Sequence, residues 1–378
     1  MAELTQLGMT DVASRKRSGF FFVAGGLSTI LIVLYVFLRN AIYVSRGMLK
    51  PDFELIRKAY DFNLWELPLT LVGLALFIGV LGVTRPGIRR SASALCGIFL
   101  FLAADLFALR YYVTRVEPEK IVLRHVRLET PKLAKPVRLL HISDIQSGGI
   151  AGHEQNLFEQ IQALQPDLVL FTGDFLQPVA PATFDSEWPK LLSLFKSLSP
   201  KYGIYAVYGD TEYEPGIKFY RLRGPELEPL HVLSTGSAQI DTGAGKIDIL
   251  GLNLFHSKEP KWAMRSIEDW MAKSDAKDFR VVMGHAPDYA LETRELPIDL
   301  CLAGHTHGGQ VRLPWYGPLV IDSEVPKEWS RGFRRIGVPY LNVSAGAGSN
   351  RYRGLPPIRF LCPTEMTLIE LLPMRSIR

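Results

Sequence analysis

The segment Ile298-Asp-Leu-Cys-Leu-Ala-Gly-His305-Thr-His307 runs from apolar, strand-like residues into two histidines of the kind that bind metal ions. Four earlier segments end in the same way on an aspartate or a histidine: Val137-Arg-Leu-Leu-His-Ile-Ser-Asp144, Pro166-Asp-Leu-Val-Leu-Phe-Thr-Gly-Asp174, Gly203-Ile-Tyr-Ala-Val-Tyr-Gly-Asp210 and Phe279-Arg-Val-Val-Met-Gly-His285. In α/β sheets, ligands bind beyond the carboxyl ends of the strands. The five strand ends therefore predict that aspartates and histidines converge at one edge of the fold.

This set of carboxylates and imidazoles predicts a site for two metal ions. Paired metal ions about 3.5–4 Å apart are a common device for attack on phosphoesters, because they stabilise both the attacking and the leaving oxygen. The five segments thus indicate phosphoester chemistry rather than a purely structural domain.

The order of the five segments resembles the calcineurin-like metallophosphoesterase superfamily, whose signature runs Asp-x-His, Gly-Asp-x-x, Gly-Asn-His-Asp/Glu, Gly-His and Gly-His-x-His. Two further segments, Gly304-His-Thr-His-Gly-Gly-Gln-Val-Arg-Leu-Pro314 and Leu355-Pro-Pro-Ile-Arg-Phe-Leu-Cys-Pro-Thr-Glu365, are similar to its membrane-linked YkuE-type branch. The resemblance extends over residues 136–373. It implies an α/β fold, a two-sheet sandwich flanked by helices, and the alternation of strand-like and helix-like segments also favours this architecture.

The resemblance implies seven metal ligands. One ion would be bound by Asp144, Gln146 and His307; the second by Asp210, His285 and His305; and Asp174 would bridge the two ions. Gln146 stands where the family has histidine, and it can bind a metal only through its amide oxygen. Asp210 stands where the family has asparagine, and it adds a negative charge. By ligand hardness, both changes favour manganese, iron or magnesium over zinc.

Thr211 occupies the position of the family's catalytic histidine, which the resemblance implies assists the leaving group. A threonine hydroxyl is too weak an acid for this role, and general acid catalysis typically contributes ~10²–10⁴-fold. Three explanations stay open: a leaving group that needs little help, such as a phosphoanhydride; an acid recruited from elsewhere; or a catalytically silent domain. Superfamily enzymes that cleave the pyrophosphate bond of UDP-diacylglucosamine also lack this histidine, so activity on anhydrides is compatible with its loss.

We therefore expect a metal-dependent phosphoester or pyrophosphate hydrolase at a membrane, with a phosphorylated and lipid-linked substrate such as a nucleotide-activated lipid. The alternative is a catalytically weak or silent metal-binding domain that binds a partner or a phosphorylated ligand. Arg359, within the motif Pro357-Ile-Arg-Phe, is a candidate for contact with the substrate phosphate, because arginine binds phosphate through two parallel hydrogen bonds.

The first 110 residues contain most of the apolar excess and predict a multi-pass membrane region. Residues 19–38, 64–83 and 91–109 are candidate transmembrane helices, since about 20 apolar residues cross a bilayer core. We expect residues 111–135 to form a linker and residues 136–373 to form the metallophosphoesterase domain.

The charge pattern bears on partners and on orientation. The net charge of +5 is too small to predict nucleic-acid binding, because arginines and lysines that flank the apolar segments account for much of it. If residues 19–38, 64–83 and 91–109 each cross the membrane, six basic residues near the spans lie on the side of the N-terminus. Nine lie on the opposite side, with the catalytic domain. The positive-inside rule then slightly favours a cytoplasmic catalytic domain.

Overall fold

A computed structural model of the chain describes residue 27, residues 30–43, residue 45, residues 52–222 and residues 224–374, apart from the side chains at positions 220 and 353. The chain divides into two compact units, Met1–Tyr112 and Val113–Arg378.

The first unit is helical. Its described helices are α1 (Ile30–Tyr43), α2 (Phe53–Asp61), α3 (Leu67–Thr84) and α4 (Arg89–Tyr111). A π-helical segment, Phe62–Glu66, continues α2 into α3, and the 3-10 helical turn Pro86–Ile88 connects α3 to α4. Small residues let α3 and α4 pack closely, since Ala75 and Ala103 are buried in their contact and the Cys96 thiol donates to the Ala75 carbonyl at 3.3 Å.

Within the described residues, two helical stretches are long and apolar enough to cross a membrane. They are Phe53–Thr84 and Pro86–Val116, and they contain the predicted spans 64–83 and 91–109. This finding rests on length and composition. Of the predicted first span, residues 19–26, 28 and 29 lie outside the described residues, and the described residues 30–38 of that span lie in α1. Three spans therefore stay a prediction.

The described residues of the second unit form two six-stranded sheets and a two-stranded one. In spatial order the first sheet contains β1 (Ile121–Thr130), β14 (Thr364–Pro373), β2 (Val137–Ile142), β3 (Leu168–Phe171), β4 (Ile204–Ala206) and β5 (Leu230–Val232). The second contains β12 (Gly332–Arg335), β13 (Tyr340–Val343), β9 (Leu300–Ala303), β8 (Phe279–Met283), β7 (Lys246–Gly251) and β6 (Gly236–Asp241). The small sheet pairs β10 (Arg312–Leu313) with β11 (Gly317–Pro318).

Alternating side chains of the strands build three cores. Leu139 and Leu170 pack with Val281 between the two large sheets, whereas Leu140 faces the helices α5 (Gly152–Leu164) and α6 (Phe184–Lys196). The outer face of the second sheet packs against α8 (Pro260–Met271), which follows the short helix α7 (Leu254–Lys258). Because both faces of each large sheet are covered, their central strands are almost continuously apolar. The predicted two-sheet sandwich with flanking helices is confirmed.

The expected linker differs from the structure. Residues 121–130 form β1, which pairs in parallel with β14 over its whole length, from Ile121 opposite Thr364 to Thr130 opposite Pro373. The alternating pattern of these residues reflects an edge strand with one covered face. This part of the chain therefore belongs to the sheet.

Parallel register brings the candidate ligands to one edge. In the first sheet Ile142, Phe171 and Ala206 lie side by side, and the chain continues from them to Asp144, Asp174 and Asp210. In the second sheet Met283 lies beside Leu302, so that β8 and β9 end at the same level. The carboxyl ends of five strands thus open onto one region of the sandwich.

The residue after Asp174 anchors its loop in an aromatic cluster. The Phe175 ring is fully buried, and its centroid lies 4.3 Å from that of Phe171, 5.1 Å from Phe219 and 5.8 Å from Phe195. This packing fixes the direction in which the chain leaves β3.

We predict that Phe175→Ala lowers the free energy of unfolding by about 3–5 kcal/mol, because it removes a buried ring and leaves a cavity. The exposed Phe255 provides a matched control, and Phe255→Ala should change stability by no more than about 0.5 kcal/mol. Urea denaturation of the full chain in detergent measures both values. Equal losses for the two variants would show that Phe175 does not anchor the loop.

Candidate metal centre

Six of the seven predicted ligands form two clusters. Asp144, Asp174 and His307 form one, Asp210, His285 and His305 form the other, and within each cluster the potential ligand atoms all lie within 4.8 Å of one another. Asp174, which the resemblance implies as a bridge, belongs to the first cluster, and its Oδ2 also lies 3.5 Å from His285 of the second.

The backbone is unusual at these residues. Asp144, Gln146, Asp174, His305 and His307 have φ angles of 52°, 36°, 62°, 66° and 48°. Residues other than glycine rarely adopt this left-handed conformation, which costs roughly 1–3 kcal/mol each and persists only where the surrounding structure enforces it. The sharp turns aim side chains from several strand ends at one point.

The glycines that precede the ligands are required by close approach. A Cβ atom on Gly209 would collide with a carboxylate oxygen of Asp174 and with the His285 ring. A Cβ atom on Gly304 would collide with the hydroxyl of Ser143 and with a carboxylate oxygen of Asp144. The glycines of the Gly209-Asp210 and Gly304-His305 pairs therefore leave room for neighbouring ligands of the site.

Asp174 lies between the two clusters. One of its oxygens, Oδ1, accepts a hydrogen bond from the Thr211 backbone N–H at 2.9 Å. The other, Oδ2, lies 3.5 Å from His285 Nε2 and accepts a hydrogen bond from the Gln146 amide nitrogen. Because the Gln146 nitrogen is used in this way, its oxygen Oε1 is the atom left for a metal ion.

A backbone carbonyl orients His285, and the other two histidine rings lie beside carboxylates. His285 Nδ1 donates to the Thr172 carbonyl at 2.7 Å, so that Nε2 faces Asp210 Oδ2 at 3.3 Å. His305 Nδ1 lies 2.8 Å from the same oxygen, and His307 Nε2 lies 3.4 Å from Asp144 Oδ1. A carbonyl that fixes the far ring nitrogen is the usual way in which proteins hold a metal-binding histidine.

Several polar atoms at the site are buried without a hydrogen-bond partner. Among the described residues they are Gln146 Oε1, Asp210 Oδ2, His285 Nε2, His305 Nε2 and both ring nitrogens of His307. The close contacts of Asp210 Oδ2 with His305 and His285 do not have the geometry of hydrogen bonds. Buried polar groups are normally hydrogen-bonded, and a role in binding an ion is one of the recognised reasons for an exception. All these atoms are potential metal donors, so the residues present fit two divalent cations.

Electrostatics leads to the same conclusion. Burial, together with the neighbouring Asp174, raises the pKa of Asp144 to about 6. Burial also acts to raise the pKa of Asp210, but His305 and His285 outweigh it and hold that pKa below its usual range. Ionised carboxylates this close together are costly to bury, and bound cations would offset that cost.

Glu212 connects the loop that carries Asp174 with the loop that carries Asp210. Its carboxylate is buried and accepts backbone N–H groups of Asp174 at 2.9 Å, Phe175 at 2.8 Å and Gly209 at 2.6 Å. Burial, with a contribution from Asp174, raises the pKa of Glu212 to about 7. The sequence signal was the acidic residue that ends the family's Gly-Asn-His-Asp/Glu segment, but its connecting role appears only in the structure.

Arg359 does not have the position expected of a substrate-binding residue. It is fully buried, and its guanidinium donates to the carbonyls of Ala345 at 2.7 Å, Gly348 at 3.0 Å and Cys362 at 2.9 Å. Its donors are thus occupied by backbone. We interpret Arg359 as the residue that shapes the loop behind Asp144, since Gly348 N–H donates to the Asp144 carbonyl at 2.8 Å.

Two charged residues at the site carry no motif in the sequence. Lys258 Nζ lies 2.7 Å from Asp210 Oδ1, and Asp322 Oδ2 lies 3.7 Å from His305 Nε2. Neither residue directly follows one of the strands that carry the ligands, and no spacing pattern distinguishes them from surface charges.

Comparisons with known proteins show what the chain is similar to. Residues 137–309 match the family described as calcineurin-like phosphoesterase. The uncharacterized metallophosphoesterase YkuE of Bacillus subtilis is 30% identical over 56% of this chain and 70% of its own length. The phosphodiesterase YaeI of Escherichia coli is 28% identical over 63% and 83%, and an uncharacterized metallophosphoesterase of Helicobacter pylori is 24% identical over 92% and 99%.

We predict that Asp174→Ala lowers the bound metal from about two ions per chain toward zero, because a carboxylate between paired ions holds both and screens their repulsion. Gln146→Ala should leave the content near that of the wild type, since water can replace one neutral donor. Metal analysis of the purified full chain after equilibration with manganese measures both. The reverse order of effects would contradict the assignment of bridging and terminal ligands.

Proposed function

The chain belongs to the calcineurin-like phosphoesterase family, and we propose that it is a membrane-bound, metal-dependent hydrolase that prefers phosphoanhydride bonds. A phosphoesterase activity follows from the family. The observation that carries the proposal is the pair of Asp/His clusters with buried, unpartnered donor atoms around Asp174.

We assign one ion to Asp144, Gln146 and His307, the other to Asp210, His285 and His305, and the bridge to Asp174. Three carboxylates, three imidazoles and one amide oxygen form a harder donor set than the family's usual four imidazoles with two carboxylates and an amide. Manganese, iron or magnesium is therefore proposed in preference to zinc.

When bound, two such ions polarise the phosphoryl oxygens and provide an activated water as nucleophile. The protein's own groups position this chemistry. The Gln146 amide holds Asp174 Oδ2, and the Glu212 carboxylate ties the loops that carry Asp174 and Asp210. These contacts limit the movement of the ligands during turnover.

Position 211 supplies no proton to a leaving group. Thr211 is buried, and its hydroxyl donates to Glu212 Oε1 at 3.0 Å, away from solvent. An alkoxide leaving group would need such a proton, whereas a phosphate or nucleotide leaves as a stable anion. The geometry of Thr211 thus supports an anhydride substrate.

A lipid-linked substrate is supported by the apolar helices. Phe53–Thr84 and Pro86–Val116 have the length and composition of membrane spans, and a tethered domain would act close to a bilayer. The excess of basic residues on the side opposite the N-terminus supports a cytoplasmic catalytic domain. We propose a nucleotide-activated lipid as the substrate class.

The test uses the full chain, purified in detergent and loaded with manganese, with a chelator-treated sample as control. We expect metal-dependent hydrolysis of both an aryl phosphodiester and a nucleotide-diphosphate lipid. Protein that binds manganese but cleaves neither compound would contradict the proposal and favour a silent metal-binding domain.

We predict that Thr211→His increases the rate on alkyl phosphodiesters more than on pyrophosphates, because only the poorer leaving group benefits from a general acid, which is typically worth ~10²–10⁴-fold. The ratio of kcat/KM on the two substrates measures this, and metal content shows that the site stays intact. Equal gains on both substrates, or a wild type already efficient on alkyl diesters, would show that another residue provides the proton.

A further inference from the structure

We propose that Lys258 binds the negatively charged phosphate of the substrate and balances the charge that Asp210 adds to the site. This inference rests on the proposed function, because it assumes that the two clusters bind metal ions and a phosphate. It assigns the recognition of an anion to a residue outside every motif of the sequence.

Lys258 lies on the solvent-exposed side of the site. Its side chain is 39% exposed and that of Asp210 is 36% exposed, whereas the other ligand side chains in the ion-pair contacts are nearly buried. A substrate that approaches from solvent therefore meets the Asp210 side of the clusters, where the ammonium group of Lys258 lies.

The two carboxylate oxygens of Asp210 have different partners. Oδ2 faces the histidines, at 2.8 Å from His305 Nδ1 and 3.3 Å from His285 Nε2. Oδ1 points the other way and accepts a hydrogen bond from Lys258 Nζ at 2.7 Å. The histidines thus fix the oxygen at the metal position, and Lys258 contacts only the other oxygen. Within the part of the chain that the structure describes this is the ammonium's one hydrogen bond, so two of its three N–H donors face no other protein group.

Negatively charged side chains surround Lys258. Besides Asp210, the carboxylates of Asp322 and Asp174 act on it electrostatically. These negative groups would repel an anionic substrate before it reached the ions. A cation among them lowers that repulsion, and a half-exposed ammonium can form a charge-assisted hydrogen bond to phosphate.

The backbone keeps Lys258 in place. It is the last residue of α7, whose start is capped by Asn253, since the Asn253 side chain accepts the His256 backbone N–H at 2.9 Å. The same helix is tied to a ligand strand, because Ser257 Oγ accepts the backbone N–H of Ala286, the residue after His285, at 3.2 Å. The lysine therefore keeps a defined distance from the second cluster.

We expect the loss of Lys258 to weaken the binding of phosphate but not of manganese. Without the lysine, a manganese ion would be repelled less and bind as tightly as before or more tightly. Inorganic phosphate would bind more weakly to the manganese-loaded protein, by about tenfold, the magnitude expected for one hydrogen bond to a charged group. A residue that merely supported the fold would weaken both when lost.

Calorimetric titration of the full chain in detergent, first with manganese and then with inorganic phosphate, measures both affinities separately from turnover. We expect Lys258→Met to lose phosphate affinity and to keep manganese affinity, and Lys258→Arg to keep most of both. Lys261→Met, which removes an exposed lysine three residues further along the chain, should change neither.

The outcomes separate the inference from the proposed function. Unchanged phosphate affinity in Lys258→Met, or a parallel loss of manganese and phosphate binding, would overturn the role of Lys258 while the metal site stands. A wild-type protein that binds no manganese would overturn the proposed function and the inference with it.

Discussion

The loops after β3 and β4 approach each other so closely at Gly173 and Gly209 that no Cβ atom fits between them. This approach is the constraint on which the site depends. It places Asp174 against the start of the next ligand loop, where Thr211 N–H and Gln146 fix its two oxygens. The Glu212 carboxylate connects the two loops by accepting hydrogen bonds from three of their backbone N–H groups. The left-handed backbone at five predicted ligands is the conformational cost of this geometry.

Much of this arrangement follows from local sequence. Apolar runs such as Leu168–Phe171 predict buried strands, and parallel strands place their carboxyl ends at one edge, so that the residues after them meet. Non-local pairing was harder to foresee. The sequence places β1 in a linker between the membrane region and the catalytic domain. Nothing in the residues of β1 shows that β14, more than 200 positions later, pairs with it.

The same limit applies to individual side chains. Arg359 lies in a recognisable motif, but a motif does not reveal whether a guanidinium faces solvent or backbone carbonyls, and here it faces carbonyls. Lys258 lies in no motif, yet the fold brings it to 2.7 Å from Asp210. Together Asp210 and Lys258 move charge to the outer side of the centre, whereas Thr211 turns its hydroxyl inward to Glu212. These two contacts place a cation on the open side of the centre and leave no acidic side chain at position 211.

The central claim is that Asp174 joins two divalent ions, one in each Asp/His cluster. Electron paramagnetic resonance of the full chain loaded with manganese tests it most directly, because ions about 3.5–4 Å apart with a shared ligand are magnetically coupled. We expect the wild type at two manganese ions per chain to give the spectrum of a coupled dinuclear centre. Asp174→Ala should lose this spectrum. A spectrum of isolated ions in the wild type, at any stoichiometry, would contradict it.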